Sequence, residues 1–125
     1  MDRRFLFLGS LSAMLAVALG AFGAHALRAS ITPSRLVTFE TGVRYQVYHA
    51  LALILVALLT AHLPKRLSAA AGWLFVAGTL FFSGSLYALA LTGTRSWGAV
   101  APIGGACFLA GWACLAWAAI SSKAE

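Results

Sequence analysis

Between His25 and His49 the chain concentrates the side chains that could bind a proton, an ion or a ligand: His25, Glu40, Arg44, Tyr45, Gln46, Tyr48 and His49. Apolar stretches surround them, and polar or ionisable groups in or beside such a stretch are costly enough to mark function by default. One reading is a small-molecule, ion or proton site, and with it a transporter or channel. Another is haem or quinone binding through His25 and His49, although no second His pair or attachment motif accompanies them. The plainest is that the groups satisfy one another and fix how two helices dock, a recurring device for polar groups inside a bilayer. Glu40 and Arg44 are four residues apart with the acid first, the favourable order for a helical ion pair. At 100° per residue Arg44, Tyr45, Tyr48 and His49 sweep one half of a helix and leave Gln46 on the other. The expectation is therefore that Arg44 and His49 face inward, meet the end of the first helix near His25, and have Glu40 as countercharge.

Catalysis has little to work with. The sequence holds no paired carboxylates, no His-Glu-x-x-His, no nucleophile elbow and no phosphate loop. Ser83, Ser85 and Thr79 fall in an apolar stretch, where hydroxyls usually bond the preceding helical turn. A chain that is not an enzyme, with no metal and no resident cofactor, is the main expectation.

The elements that must carry these residues are written in the composition. Of 125 residues 62% are hydrophobic and 10% charged, against roughly 25% charged in an average soluble domain. Uncharged windows of about 20 residues are long enough for a helix to cross the roughly 30 Å hydrocarbon layer. Four such windows predict an all-α integral membrane protein, an antiparallel four-helix bundle in a single domain over 1–125. The spans are expected at about 5–26, 43–63, 68–91 and 98–120. The first resembles a signal peptide, but its uncharged stretch from Phe5 to Ala24 exceeds the usual 7–15-residue core, and it reads as a retained helix. Thr32-Pro33 is an N-cap followed by proline at the first helical position, so a helical start over about 33–42 precedes the second span. Pro64-Lys65-Arg66 ends that span and leaves a connection short enough for an antiparallel hairpin.

The formal charge is +6. Its cations sit at span ends rather than in a stripe, which points to membrane lipids, anionic head groups above all, and away from nucleic acid. Arg3, Arg4, Lys65, Arg66 and Lys123 fall on the side of the termini, and Arg28, Arg35, Arg44 and Arg95 on the other. Five against four favours cytoplasmic termini. Small residues recur at four-residue spacing, as Ala16, Gly20 and Ala24 in the first span with Gly23 beside them, Gly84 and Ala88 in the third, and Ala106, Ala110, Cys114 and Ala118 in the fourth. Such lines are packing seams within the bundle, or a face for a homo-oligomer or a larger membrane complex. Trp73 and Trp97 lie near span ends, as interfacial anchors do. Cys107 and Cys114 share a helix face seven positions apart, too far to bridge each other.

The stretches Gly20-Ala21-Phe22-Gly23-Ala24-His25-Ala26-Leu27 and Phe39-Glu40-Thr41-Gly42-Val43-Arg44-Tyr45-Gln46-Val47-Tyr48-His49-Ala50 resemble the YgdD-like family of small membrane proteins, domain of unknown function 423. Phe81-Phe82-Ser83-Gly84-Ser85-Leu86-Tyr87 and Pro102-Ile103-Gly104-Gly105 resemble it too, as do its animal relatives called transmembrane protein 256. The resemblance implies a small bacterial inner-membrane protein with four spans and no settled biochemical role. It draws attention to the same polar cluster and leaves the activity open.

Overall fold

The computed structural model describes residues 1–122, and they are helical almost throughout. Helix α1 (Arg3–His25) is followed by a 3-10 turn, Leu27–Ala29, and by α2 (Pro33–Leu59). Helix α3 (Lys65–Gly78), a π-helical turn (Thr79–Ser83) and α4 (Gly84–Thr92) run on as one third span. A 3-10 turn, Arg95–Ala99, leads into α5 (Ala101–Ser121). Four stretches, Arg3–Ala29, Pro33–Leu59, Lys65–Thr92 and Arg95–Ser121, are long and apolar enough to cross a membrane. A 27-residue helix is about 40 Å long, roughly 10 Å more than the hydrocarbon layer, so helix ends reach the head groups.

The ends are set by local chemistry. Thr32 caps α2, its Oγ1 accepting from the Arg35 amide at 3.3 Å, and Pro33 takes the first position. The helix then runs unbroken to Leu59, short of residue 63, where Thr60 Oγ1 donates to the Ala57 carbonyl and the His62 and Leu63 amides return to Leu59. Gly93, at φ 70°, closes α4 in the left-handed conformation that only glycine adopts without strain. Arg35 Nε donates to the Ala90 carbonyl at 2.7 Å, tying that end of α4 to the start of α2.

At the opposite end Asp2 caps α1. Its Oδ1 accepts from the Arg4 amide at 2.9 Å, and its Oδ2 meets the Arg4 guanidinium at 3.1 Å. The Asp2 amide donates to the Ala57 carbonyl at 3.0 Å, so the first turn of α1 is fastened to the last turns of α2. The hydrogen bond from the Arg4 side chain holds the Asp2 carboxyl below its ordinary pKa. A carboxyl whose pKa falls on folding stabilises above its unfolded value, about 3.9, and loses that contribution as pH drops through the lower folded value. Asp2→Ala should lower the unfolding temperature in detergent at pH 7, by an amount equivalent to about 1 kcal/mol. The gap between variant and parent should close below pH 4, which an acid titration of both melting curves checks.

Lipid tails are as apolar as leucine, so these helices must adhere by close packing and by hydrogen bonds. Helix α1 lies along α2, α2 along the third span, and the third span along α5. Gly9, Ala16 and Gly23 form the buried seam of α1, seven residues apart. A Cβ on Gly9 would lie 2.8 Å from the Ala50 carbonyl, and one on Gly23 2.9 Å from the Phe39 ring. The expected line Ala16, Gly20 and Ala24 is thus displaced, with Ala24 exposed. On α5 the seam is Gly104, Phe108, Gly111, Leu115 and Ala118, while Ala106 and Ala110 face outward. Large rings fill the notches: Phe5 against Gly72, Phe108 against Gly78, and Phe75 against Gly111. Gly104 meets the Phe82 backbone itself. Trp73 packs edge-on against Phe5 with the Arg4 guanidinium 5.8 Å above its ring, a placement suited to the membrane edge.

Candidate functional site

The inward stripe of α2 is Phe39, Gly42, Gln46, His49, Leu53 and Val56, in steps of three and four, with Ala50 and Ala57 beside it. Two of the expected cluster lie on it. Gln46 is 5% exposed and His49 4%.

Gln46 joins three helices. Its Nε2 donates to the Ser12 carbonyl of α1 at 3.0 Å, and its Oε1 accepts from the Tyr87 hydroxyl of α4 at 2.6 Å. One turn earlier, Ser83 Oγ of the π-helical turn donates to the Gly42 carbonyl at 2.7 Å, an approach that the bare glycine allows. Thr79 and Ser85 donate to the Phe75 and Phe82 carbonyls, taking up acceptors around the π-helical turn as hydroxyls in apolar spans do.

His49 joins α2 to α5. Its Nδ1 lies 2.7 Å from the Tyr45 carbonyl, which can only accept, so Nδ1 carries the proton. Its Nε2 lies 3.0 Å from Trp112 Nε1, which can only donate, so Nε2 is the acceptor. The two partners together define one neutral tautomer. The imidazole also stacks on Phe108, with centroids 3.5 Å apart and planes 8° from parallel. Tyr45 and Phe82 extend the aromatic group on the outer side, their centroids 4.8 Å apart.

The remaining members of the expected cluster are not on that stripe. His25, Glu40, Arg44, Tyr45 and Tyr48 are exposed. Arg44 does not turn inward, and Glu40 is not its countercharge. Its Nη2 reaches Thr41 Oγ1 at 3.5 Å, and among the described residues the ion pair within 4 Å is Asp2–Arg4. A long arginine side chain leaning toward the helix N-terminus can carry its charge to the head groups, which removes the need for a buried partner. Gln46, placed by the sequence reading on the outer half, is the most connected inward residue. His25 closes α1, whereas His49 lies 16 residues, about 24 Å, along α2 from Pro33. The structure does not bring the two histidines together, and both His49 nitrogens are engaged in hydrogen bonds. Among the described residues no group of three His, Cys, Asp or Glu is placed to hold a metal.

Sequence reasoning missed Trp112, Tyr87 and Ser12 as partners. A signal for the inward face was available in Gly42, Gln46 and His49, spaced four and three apart. Trp112 gave a weaker one, as a tryptophan in the middle of its span rather than at an end.

Two grooves flank the network. One of about 600 Å³ lies between α1 and the third span, with Ser12, Gln46 and Tyr87 among its lining. Another of about 500 Å³ lies between α2 and α5 beside His49 and Trp112.

Four long apolar helices, docked through glycine notches and fastened by side chains that hydrogen-bond at mid-depth, define an integral membrane bundle. The family model described as "Protein of unknown function (DUF423)" matches residues 19–105. Bacillus subtilis YwdK, a UPF0382 membrane protein, is 46% identical over 117 residues, covering 93% of this chain and 95% of YwdK. The Escherichia coli inner membrane protein YgdD is 42% identical over 125 residues, covering 98% and 93%. A UPF0382 membrane protein of Staphylococcus aureus is 45% identical over 108 residues, covering 86% and 88%. The chain belongs to this family, DUF423 or UPF0382, of small membrane proteins. No solved structure matches it.

The Gln46–Tyr87 bond should show as a coupling. Tyr87→Phe leaves the Gln46 carbonyl without its donor, and Gln46→Leu leaves the Tyr87 hydroxyl without its acceptor. Each should lower stability by about 1 to 2 kcal/mol, and the double variant should recover about 0.6 to 1.7 kcal/mol relative to additivity. Unfolding of the four proteins in detergent measures it, and strict additivity would show that the bond is not formed.

Proposed function

We propose that the chain is a non-enzymatic component of the inner membrane, either self-associating or an accessory subunit of a larger complex, with both termini in the cytoplasm. The observation that carries the reading is the closure of the inward polar groups. Gln46, His49, Ser83 and Tyr87 are each engaged by another helix, an arrangement that fixes docking rather than one poised to hand a proton or ion onward. Glu40, the one acid away from the termini in the sequence, is exposed at the start of α2, away from this network. That position suits a solvated or partner-facing role better than a carrier cycle.

The test is isolation of a tagged chain, expressed at its native level, in a gentle detergent, followed by native mass spectrometry. A second copy or another membrane protein is the expected companion. A monomer with lipid alone would overturn the reading. Terminal reporter fusions should be active on the cytoplasmic side only, and periplasmic activity at either terminus would reverse the orientation.

A further inference from the structure

The larger groove has features that the clasp does not use. Thr79 and Leu80 of the π-helical turn form part of its wall, and π turns inside helices occur often at functional sites. Gly84, in the same wall, is exposed, and a Cβ built on it would meet nothing within 4 Å. Ser12 is also among the lining, and its Oγ is shielded from water and has no hydrogen-bond partner among the described residues. A serine in an apolar helix ordinarily returns its proton to the preceding turn, so a hydroxyl left without an acceptor is an unfavourable feature that a ligand acceptor would relieve. Gln46 Nε2 beside it carries two protons and places one on the Ser12 carbonyl. The residues that carry these two donors, Ser12 and Gln46, both line a groove of about 600 Å³, within the size range of small-molecule sites.

The chemistry of the occupant follows from these donors and their depth. It must present an acceptor. It must be neutral, because among the described residues no Asp, Glu, Lys, Arg or His lines the groove. It must also carry that acceptor into the hydrocarbon, since Ser12 lies seven residues from Phe5, about 10 Å from the nearer edge of its span. Phospholipid ester carbonyls are tied to the head-group boundary and do not reach this level, and acyl chains have no acceptor. A carbonyl-bearing ring on a long apolar tail meets every condition.

We propose that the groove between α1 and the third span binds a lipid-tailed quinone. A ring carbonyl accepts from Ser12 Oγ and from the second Nε2 proton of Gln46, and the tail lies along the leucines of α1 toward the lipid. This site is separate from His25 and His49 and holds whether or not the chain associates with other proteins.

The test is titration calorimetry on the purified full chain with a decyl-tailed benzoquinone, using decylbenzene as the probe that keeps the tail and lacks the carbonyls. Saturable binding of one quinone per chain, at least tenfold tighter than decylbenzene, is expected. Gly84→Leu puts a side chain into the groove from a position whose Cβ meets nothing within 4 Å, and should abolish binding without lowering the melting temperature. Ser12→Ala should weaken binding roughly five- to tenfold, the worth of one hydrogen bond, and raise the melting temperature of the ligand-free protein. No saturable binding by the parent, equal binding of decylbenzene, or parental affinity in both variants would each overturn the proposal.

Discussion

Gly104→Ala is expected to lower the stability of the bundle by about 3 kcal/mol, although it adds one methyl group. The added Cβ would lie within 3 Å of the Phe82 backbone nitrogen, Cα and Cβ. A side chain can turn away from such a collision, but a backbone cannot, so α5 would have to withdraw from the π-helical turn along its length. Nothing in the bilayer would compensate, because lipid receives apolar surface as readily as the bundle does. Gly111→Ala provides a graded comparison, since its Cβ meets the Phe75 ring at 2.6 Å and a ring can shift. Gly84→Ala provides the other limit, with open space at the new methyl and an expected gain of up to about 1 kcal/mol from helix propensity. Unfolding of the three variants in one detergent should rank Gly84→Ala above Gly111→Ala above Gly104→Ala. Equal stability of the first and last would mean that α5 does not approach the third span this closely.

The same glycines explain what could be read from the sequence and what could not. Four spans were legible because a charge-free window of about 20 residues admits few other structures. The start of α2 at Pro33 was legible because Thr32-Pro33 combines a side-chain cap with a fixed φ. The inward faces of α1 and α5 were not, because a span that is apolar on all sides has lost the hydrophobic contrast that marks a face in soluble proteins. What remains is the position of small residues, and α1 and α5 each offer more than one line of them. Gly9, Ala16 and Gly23 at intervals of seven carry the true seam of α1, while the four-residue line through Ala24 turns toward lipid.

Arg44 led the sequence reading astray for a related reason. A charge inside an apolar stretch suggests burial, whereas an arginine near a membrane face can extend its side chain toward the head groups. Turning Arg44 inward rotates Gln46 out, so one assumption displaced both. The π-helical turn left no mark, since Thr79-Leu80-Phe81-Phe82-Ser83 reads as ordinary apolar helix. Its consequence, Ser83 aimed at Gly42 on another helix, could not be foreseen from spacing at 3.6 residues per turn.

His49→Ala is expected to cost about 3 kcal/mol, because it removes the ring stacked on Phe108 and leaves a cavity between α2 and α5. His49→Phe separates the two contributions. It keeps a ring of similar breadth against Phe108 and Phe75 but offers no acceptor to Trp112 Nε1–H, so the loss should fall to about 1 kcal/mol. Adding Trp112→Phe to that variant removes the stranded donor and should return part of the loss, whereas Trp112→Phe alone strands the His49 Nε2 lone pair. Melting temperatures of parent, both single variants and the double variant in detergent give the coupling directly. Additive losses would show that the imidazole acts through its ring face alone. Were His49→Phe as stable as the parent while association with a membrane partner disappeared, His49 and Trp112 would be a recognition site on α2 and α5 rather than the clasp that their closed hydrogen bonds describe.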